Sequence, residues 1–352
     1  MVRGHSRWFR GTVAVVTVAT LVVAFGSAKP AGAQGTAAGA KVRTISIAVS
    51  NHPTQSPSPV ILAGVQQGFF EKRGIKLGDV IGSGSGGDSV RSVLQGDLPF
   101  GIVGTSAAVQ AYLAGAPVVI IGGSIQSAAN LAFVTKPNSS IKTIQDVVGK
   151  TVGYTSPGSA TDAALRLSLD AAGLTDKVKT RATGGLSEGL TALNGGGIDV
   201  AAITDLVLAQ NPSAYHVVWS TRDVVPFFEA NVIITRPQLL KDDPQFVKDF
   251  LAAYSEATDW VIKNPAQAGA LWAAAAKLDP KVVTGITEQY AKIGLWAPNA
   301  QLSADGLKSI EKSMILLGNV KKDPGIPWAK LVNQDFLPAA AVRIDLTTLS
   351  GS

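Results

Sequence analysis

The chain has 352 residues, no cysteine and a formal net charge of +6. The missing cysteine excludes disulfides, thiol catalysis and thiolate metal sites, and a chain of this length buries enough core to fold without covalent staples. Arg3, Arg7, Arg10 and Lys29 lie in the first 33 residues, which hold no acid, so removing that segment leaves +2; no basic run remains that would suit a nucleic acid.

Residues 1–33 read as an export signal. The three arginines form a basic start, residues 11–25 are uncharged and mostly apolar, and Ala31-Gly32-Ala33 fits a small-residue cleavage site. The apolar run is short for a membrane span of about 20 residues. Cleavage near Ala33 would leave a periplasmic or secreted protein that does not span a membrane. There is no Arg-Arg pair and no lipoprotein cysteine. Residues 34–40 are a small-residue linker.

From residue 41 the pattern alternates strand, polar loop and helix. Strands are expected at 43–49, 76–81, 100–103, 118–122 and 131–135, and helices at 59–73, 88–95 and 106–114, with Gly or Pro punctuation behind the helices. A second unit follows, with strands at 151–154, 178–182, 200–203, 215–219 and 231–235. Its helices are expected at 143–148, 159–172 and 187–194. Strands apolar throughout suggest parallel sheets covered on both faces. After Pro237 four helices are expected, at 244–263, 265–277, 280–293 and 303–317, three with proline at the first turn. Trp260, Trp272, Trp296 and Trp328 read as packing anchors, and residues 337–352 as a loosely held tail. The fold class is α/β, with a helical C-terminal section and ligands bound beyond the carboxyl ends of the strands.

Thr151–Leu174 is the most informative stretch. A short strand meets a loop of Ser, Pro, Gly and Thr, and a helix starts near Ser159. A start dressed only with small residues leaves its first N–H groups for a ligand, and the helix dipole favours an anion there. The loop has donors but no nucleophile–base pair.

Catalytic patterns are weak by comparison. Gly82-Ser83-Gly84-Ser85-Gly86-Gly87 fits G-x-G-x-x-G, but no acid ends the next strand and the match follows the second strand of its unit, so a flexible lip loop is the better reading. Gly104-Thr105-Ser106-Ala107-Ala108 resembles a degraded nucleophile elbow. Asp199 or Asp205 with His216 would complete a serine-hydrolase order, yet His216 opens an apolar strand. Only His52 and His216 follow the signal, too few for a histidine metal site. No metal or cofactor is expected.

Gly64–Gly74 (GVQQGFFEKRG), Val93–Ala108 (VLQGDLPFGIVGTSAA), Ile141–Tyr154 (IKTIQDVVGKTVGY), Gly158–Leu174 and Leu193–Asp205 (LNGGGIDVAAITD) resemble, in order, the solute-binding proteins of ABC importers. The branch is the nitrate/sulfonate/taurine type, related to thiamine-pyrimidine binding proteins. The resemblance implies a two-lobed periplasmic-binding-protein type II fold with a hinge and an interlobe cleft. Lobe one would be 41–135 plus 235–352, and lobe two 136–234. Cleft positions by resemblance are Asn51 and His52, Gly86, Thr105 and Ser106 from lobe one. Lobe two contributes Thr155, Ser156, Gly158, Ser159, Ala160, Gly184, Gly185, Thr204 and Asp205. The implied partners are a small-molecule ligand, an ABC permease and its ATPase, with the binding protein itself a monomer and not an enzyme. The cysteine-dependent pyrimidine synthases of the same fold are set aside. Helix starts at Ser106 and Ser159 favour an anion of sulfonate, nitrate or carboxylate type. Yet no Arg or Lys lies in these loops, while Asp88, Asp162 and Asp205 are close. Those aspartates either stabilise helix starts or select a neutral, pyrimidine-like or partly cationic heterocycle. Tyr154, Phe227 and Phe228 are the few nearby aromatics.

Overall fold

The computed structural model describes residues 42–349 apart from 51, 84, 85 and 97. The expected signal and linker, and the candidate Asn51, lie outside the described residues.

The first half of the chain runs β1 (Arg43–Ser50), α1 (Ser58–Gln66), β2 (Ile75–Ser83), α2 (Gly86–Leu94), β3 (Gly101–Gly104), α3 (Thr105–Leu113) and β4 (Val119–Ile125). Next come β5 (Leu131–Thr135), β6 (Thr151–Tyr154), α4 (Ala160–Ala171), β7 (Lys179–Ala182), α5 (Leu186–Asn194), β8 (Val200–Thr204), α6 (Asp205–Gln210), β9 (His216–Ser220) and α7 (Thr221–Val224). The chain then forms β10 (Asn231–Thr235) and the helices α8 (Pro237–Asp242), α9 (Pro244–Lys263), α10 (Pro265–Ala276), α11 (Pro280–Lys292), α12 (Ala304–Leu316) and α13 (Trp328–Leu331). Proline opens α9, α10 and α11 as expected; its missing N–H is an orphan donor at that position anyway.

The strands form two five-stranded sheets of the same design, ordered β2-β1-β3-β10-β4 and β7-β6-β8-β5-β9. Four strands of each run the same way, and the fourth place in each order is held by the one antiparallel strand, β10 in one and β5 in the other. The sheets are therefore mixed, not parallel as the apolar runs suggested. The reason lies in β5, where Leu131 and Phe133 face one core and Ala132 and Val134 the other. Burial on both faces makes a strand continuously apolar whichever way it runs.

Pairing also corrects the expected boundaries. Residues 131–135 bond into the second sheet and 231–235 into the first, so the chain crosses between sheets at 126–130 and again at 221–230. Each crossing delivers its strand to the sheet it is entering.

The first sheet and the C-terminal helices share one core, and that core takes in Ala163 and Leu167 of α4 and Leu206 of α6 from the second half. Helix α12 packs on α4 and α11 on α6, with Lys312 paired to Asp170 at 2.6 Å. The tail is not loose. Leu337, Ala341 and Leu349 are buried, Gln334 bonds both the N–H and the carbonyl of Ile344, and Arg343 donates to the Leu337 carbonyl. Among the described residues no helix is long and apolar enough to cross a membrane.

Candidate functional site

Parallel strands within a sheet present their carboxyl ends at one edge. The loops after β1 and β3, and those after β6, β7 and β8, carry most of the expected site residues. Two sets of contacts bring the edges together. The Gln110 side chain of α3 occupies the notch at Gly158, where a Cβ would overlap its amide. The Asn130 amide in the first crossing donates to Ser56 Oγ at 3.4 Å, and the Asp205 N–H donates to the Asn130 carbonyl at 3.0 Å.

On the first sheet's side, Ser106 is buried at a helix start that has no side-chain cap and no acid in its first turn. Thr105 has no exposure. Its N–H donates to the Ala230 carbonyl at 3.1 Å and its hydroxyl to the Glu229 carbonyl. Thr105 therefore ties α3 to the second crossing and does not offer its hydroxyl to a ligand. Gly86 lets the starts of α2 and α3 approach, since a Cβ there would lie 3.0 Å from that of Ala107. His52 is half-buried, with Nδ1 3.1 Å from Ser58 Oγ; burial lowers its pKa, which keeps the ring neutral at pH 7. Its loop is held by the C-terminal helical section: the Trp272 indole donates to the Pro53 carbonyl at 2.7 Å and the Trp296 indole to that of Ser56 at 2.8 Å. The anchoring expectation for these tryptophans stands, and their polar ends also shape the site.

The second side corrects the expectation of open amides at α4 in part. Ser159 is the N-cap, and its hydroxyl accepts from the Asp162 N–H at 3.3 Å and, at a long 3.5 Å, from that of Ser156. The Thr155 N–H goes to Thr161 Oγ1 at 2.9 Å, and the Gly158 N–H to Asp162 Oδ2 at 3.0 Å. The hydroxyls of Thr155, Ser159 and Thr161 bond one another at 2.8–3.0 Å. Ser, Thr and Asp compete for backbone donors, and here they take those of Thr155, Gly158 and Asp162, leaving the Ala160 and Thr161 N–H groups of the first turn. Ala160 is the first helical residue behind this ring. Asp162 also accepts from Arg166 Nε at 3.2 Å; burial raises its pKa against the Gly158 and Arg166 contacts. For Asp162 the helix-stabilising reading is the correct one.

Gly184, at φ 98°, donates its N–H to the Thr155 carbonyl at 2.8 Å, joining the two loops of this edge. A Cβ on Gly185 would overlap the Glu188 carboxylate, which folds back over the start of α5. Thr204 caps α6 through the Val207 N–H at 3.4 Å. Asp205 follows it, half-buried; burial pushes its carboxyl up to about 6 against the pull of Arg222.

The residues that sequence reasoning missed come from elsewhere in the chain. Gln110 and Asn130 carried no motif. Glu229 was signalled by an acid within the apolar run Phe227–Ala230. Its Oε2 accepts from the Ser303 N–H at 2.8 Å. Its Oε1 accepts no hydrogen bond of good geometry, the Gln126 amide beside it being donated to the Gln301 carbonyl at 2.8 Å. Burial pushes this carboxyl up to about 8 against the Ser303 and Gln126 groups.

The hydrolase constellation does not assemble. His216 stands at the amino end of β9, opposite Thr135, with Nε2 3.4 Å from the Lys142 carbonyl, whereas Ser106 follows the carboxyl end of a strand in the other sheet. Asp199 is committed as well, accepting from the Thr151 N–H at 2.8 Å. Among the described residues no group of three His, Asp or Glu is placed to hold a metal.

The family described as NMT1/THI5 like matches residues 57–268. The periplasmic aliphatic sulphonate binding protein SsuA from Escherichia coli is similar with a TM-score of 0.64 at 19% identity, over 78% of this chain and 86% of its own. The alkanesulfonate-binding protein SsuA from Xanthomonas axonopodis pv. citri, solved with MOPS, gives 0.67 at 16% identity, over 84% and 100%. The desulfurization enzyme DSZB gives 0.59 at 15% identity, over 83% and 97%. No curated protein matches by sequence. At these identities the likenesses carry the fold, that of the periplasmic binding proteins.

Proposed function

This chain belongs to the NMT1/THI5-like family, and on that premise we propose that it is the extracytoplasmic solute-binding component of an ABC importer, exported through its first 33 residues. Two lobes built on the two sheets trap a small molecule and present the closed form to a membrane permease and its ATPase. One observation carries the reading: two sheets of identical order, crossed twice by the chain, meet at the loop ends of their strands through Gln110–Gly158 and Ser56–Asn130–Asp205. The crossings at 126–130 and 221–230 are the proposed hinge. A ligand closes it only by preferring the closed state.

The proposed grip is His52 and Ser106 on one side and Ser156, Gly158, Ser159 and Asp205 on the other, with Gln110 added. Likeness to sulfonate-binding proteins supports a sulfonate, nitrate or carboxylate anion as the first ligand class. The Gly158 and Asp162 amides already taken at α4, together with Asp205, support a second, a neutral or nitrogen-bearing solute. Binding without chemistry is supported by the separation of Ser106 from His216. The likeness to a desulfurization enzyme is met by assaying sulfinate cleavage in parallel.

The test is calorimetric and mass-spectrometric. The exported chain is purified and denatured to release carried solute. After refolding it is scanned against sulfonates, carboxylates, nitrate, pyrimidines and amines. A ligand at 100 times its Kd stabilises the native state by about 2.7 kcal/mol, so a binder raises the melting temperature by several degrees. No carried solute and no shift across the panel would sink the reading.

A further inference from the structure

We infer that α11 and α12 form an apolar latch that holds the two lobes closed before any solute is bound, so that a solute enters by trapping a transient opening. The inference rests on the two-lobed solute-binding reading and goes beyond it, because it assigns part of closure to the chain's own contacts.

The latch is built from the outer sides of α4 and α6. On α4, Ala160, Ala163 and Leu167 recur at steps of three and four, which places them on one helix face. On α6, Leu206 and Ala209 are spaced in the same way. All of them belong to, or pack against, the core of the first sheet and the C-terminal helices. Their neighbours take the other side: Ala164, Leu165 and Leu169 of α4, and Val207 and Leu208 of α6, go to the cores of the second sheet. A helix that only covered its own sheet would need one apolar stripe and could turn polar residues outward. These two helices carry a second stripe, and α12 on α4 and α11 on α6 supply the surface against it. Leu307 and Ile310 of α12 and Tyr290 of α11 are buried in that same core.

The stripes begin at the proposed site. Ala160 and Ala163 follow the Ser159 cap within one turn, and Leu206 directly follows Asp205. A motion that draws Ser159 and Asp205 away from Ser106 therefore draws Ala163 and Leu206 out of the shared core. Two contacts on separate helices, in addition to the two crossings, cannot all lie on one rotation axis, so opening breaks at least one of them. The exposed surface is apolar, and bringing it into water opposes opening whether or not a solute is present. Binding then does not have to supply the whole free energy of closure, while entry has to wait for the latch to open. The exposed Lys312–Asp170 pair adds little to this hold.

The chain has no cysteine, so spin labels can be attached at Ala171→Cys and Lys308→Cys, exposed positions at the end of α4 and on α12. The labelled chain is denatured to release carried solute and refolded, and the label separation is measured by double electron–electron resonance with no solute added. The expected result is one population at the separation of this structure. Adding Leu167→Ala and Leu206→Ala should shift the open-to-closed ratio by about tenfold or more and bring up a longer separation, whereas Lys312→Ala should leave the single population. A mostly longer separation in the chain with both leucines intact overturns the inference. So does a single short separation in the leucine variant, or opening by Lys312→Ala as far as by the leucine changes. None of these results bears on solute binding, which the ligand panel decides separately. Should the double leucine variant fold poorly, Leu206→Ala alone and the chain with both leucines intact decide.

Discussion

Glu229 has no solvent exposure and no cation beside it, and a carboxylate in that position is far costlier than the acid. With its carboxyl at about 8 against an ordinary 4.5, the folded chain keeps its proton through a range where the unfolded chain releases it. Stability from this group is present below pH 4.5 and falls as pH rises to about 8. The loss is on the order of several kcal/mol, at 1.4 kcal/mol per unit. Glu229→Gln keeps an acceptor for the Ser303 N–H and cannot ionise. Urea unfolding at pH 5, 6.5 and 8 should therefore show a flatter profile for the variant than for the wild type; parallel profiles would mean that Glu229 titrates normally. Such a residue stands out in sequence only as an acid among Phe and Ala. Its burial comes from Gly123 and Gly306, at which a Cβ would lie 2.8 Å from atoms of Glu229.

Among the elements, the start of α4 shows how a local pattern can be right in place and wrong in use. Strand β6 falls at Thr151–Tyr154 and Ser159 caps α4, both as the sequence indicated. The exchange of hydroxyls and the reach of Asp162 depend on side-chain rotamers that spacing does not specify. Gly158 adds a long-range condition, because its φ is 74° and Gln110 fills the space beside it. Gly158→Ala should destabilise by about 1–3 kcal/mol, from left-handed strain plus overlap. Adding Gln110→Ala should recover the overlap part and leave the strain. A double-mutant cycle by thermal unfolding checks this, and coupling below about 0.3 kcal/mol would show that the two side chains do not meet.

The molecule as a whole is held across its two sheets less by charge than by the apolar sides of α4 and α6. Lys312–Asp170 is partly exposed, 57% and 31%, and a pair of that kind contributes at most about 1 kcal/mol. Leu167 instead enters the core of the first sheet and the C-terminal helices. Leu167→Ala should cost about 2–5 kcal/mol and weaken the hold of α12 on α4. In calorimetry the single unfolding transition would broaden or split, whereas Lys312→Ala should leave it nearly unchanged. A single unbroadened transition for Leu167→Ala would show that the two halves are held elsewhere.

Most strands and helices were legible in the sequence because their signals are local: period, proline at the first helical turn, glycine behind the last. Helix α9 runs over Pro244–Lys263 as expected, and β5 and β10 lie where the apolar runs placed them. The short helices α6, α7 and α8 escaped, being one or two turns long with no full apolar period to mark them. By itself the sequence determined the elements, the exclusion of thiol and histidine-metal chemistry, and the Ser/Thr/Gly character of the loops. Only the tertiary structure decided that β5 and β10 join the sheets ahead of them, that the Thr155, Gly158 and Asp162 donors at the start of α4 are engaged, and that Asp205 stands without a partner. Strand pairing, side-chain competition for amides and desolvation are all settled by residues distant along the chain, and no local pattern encodes which ones will meet.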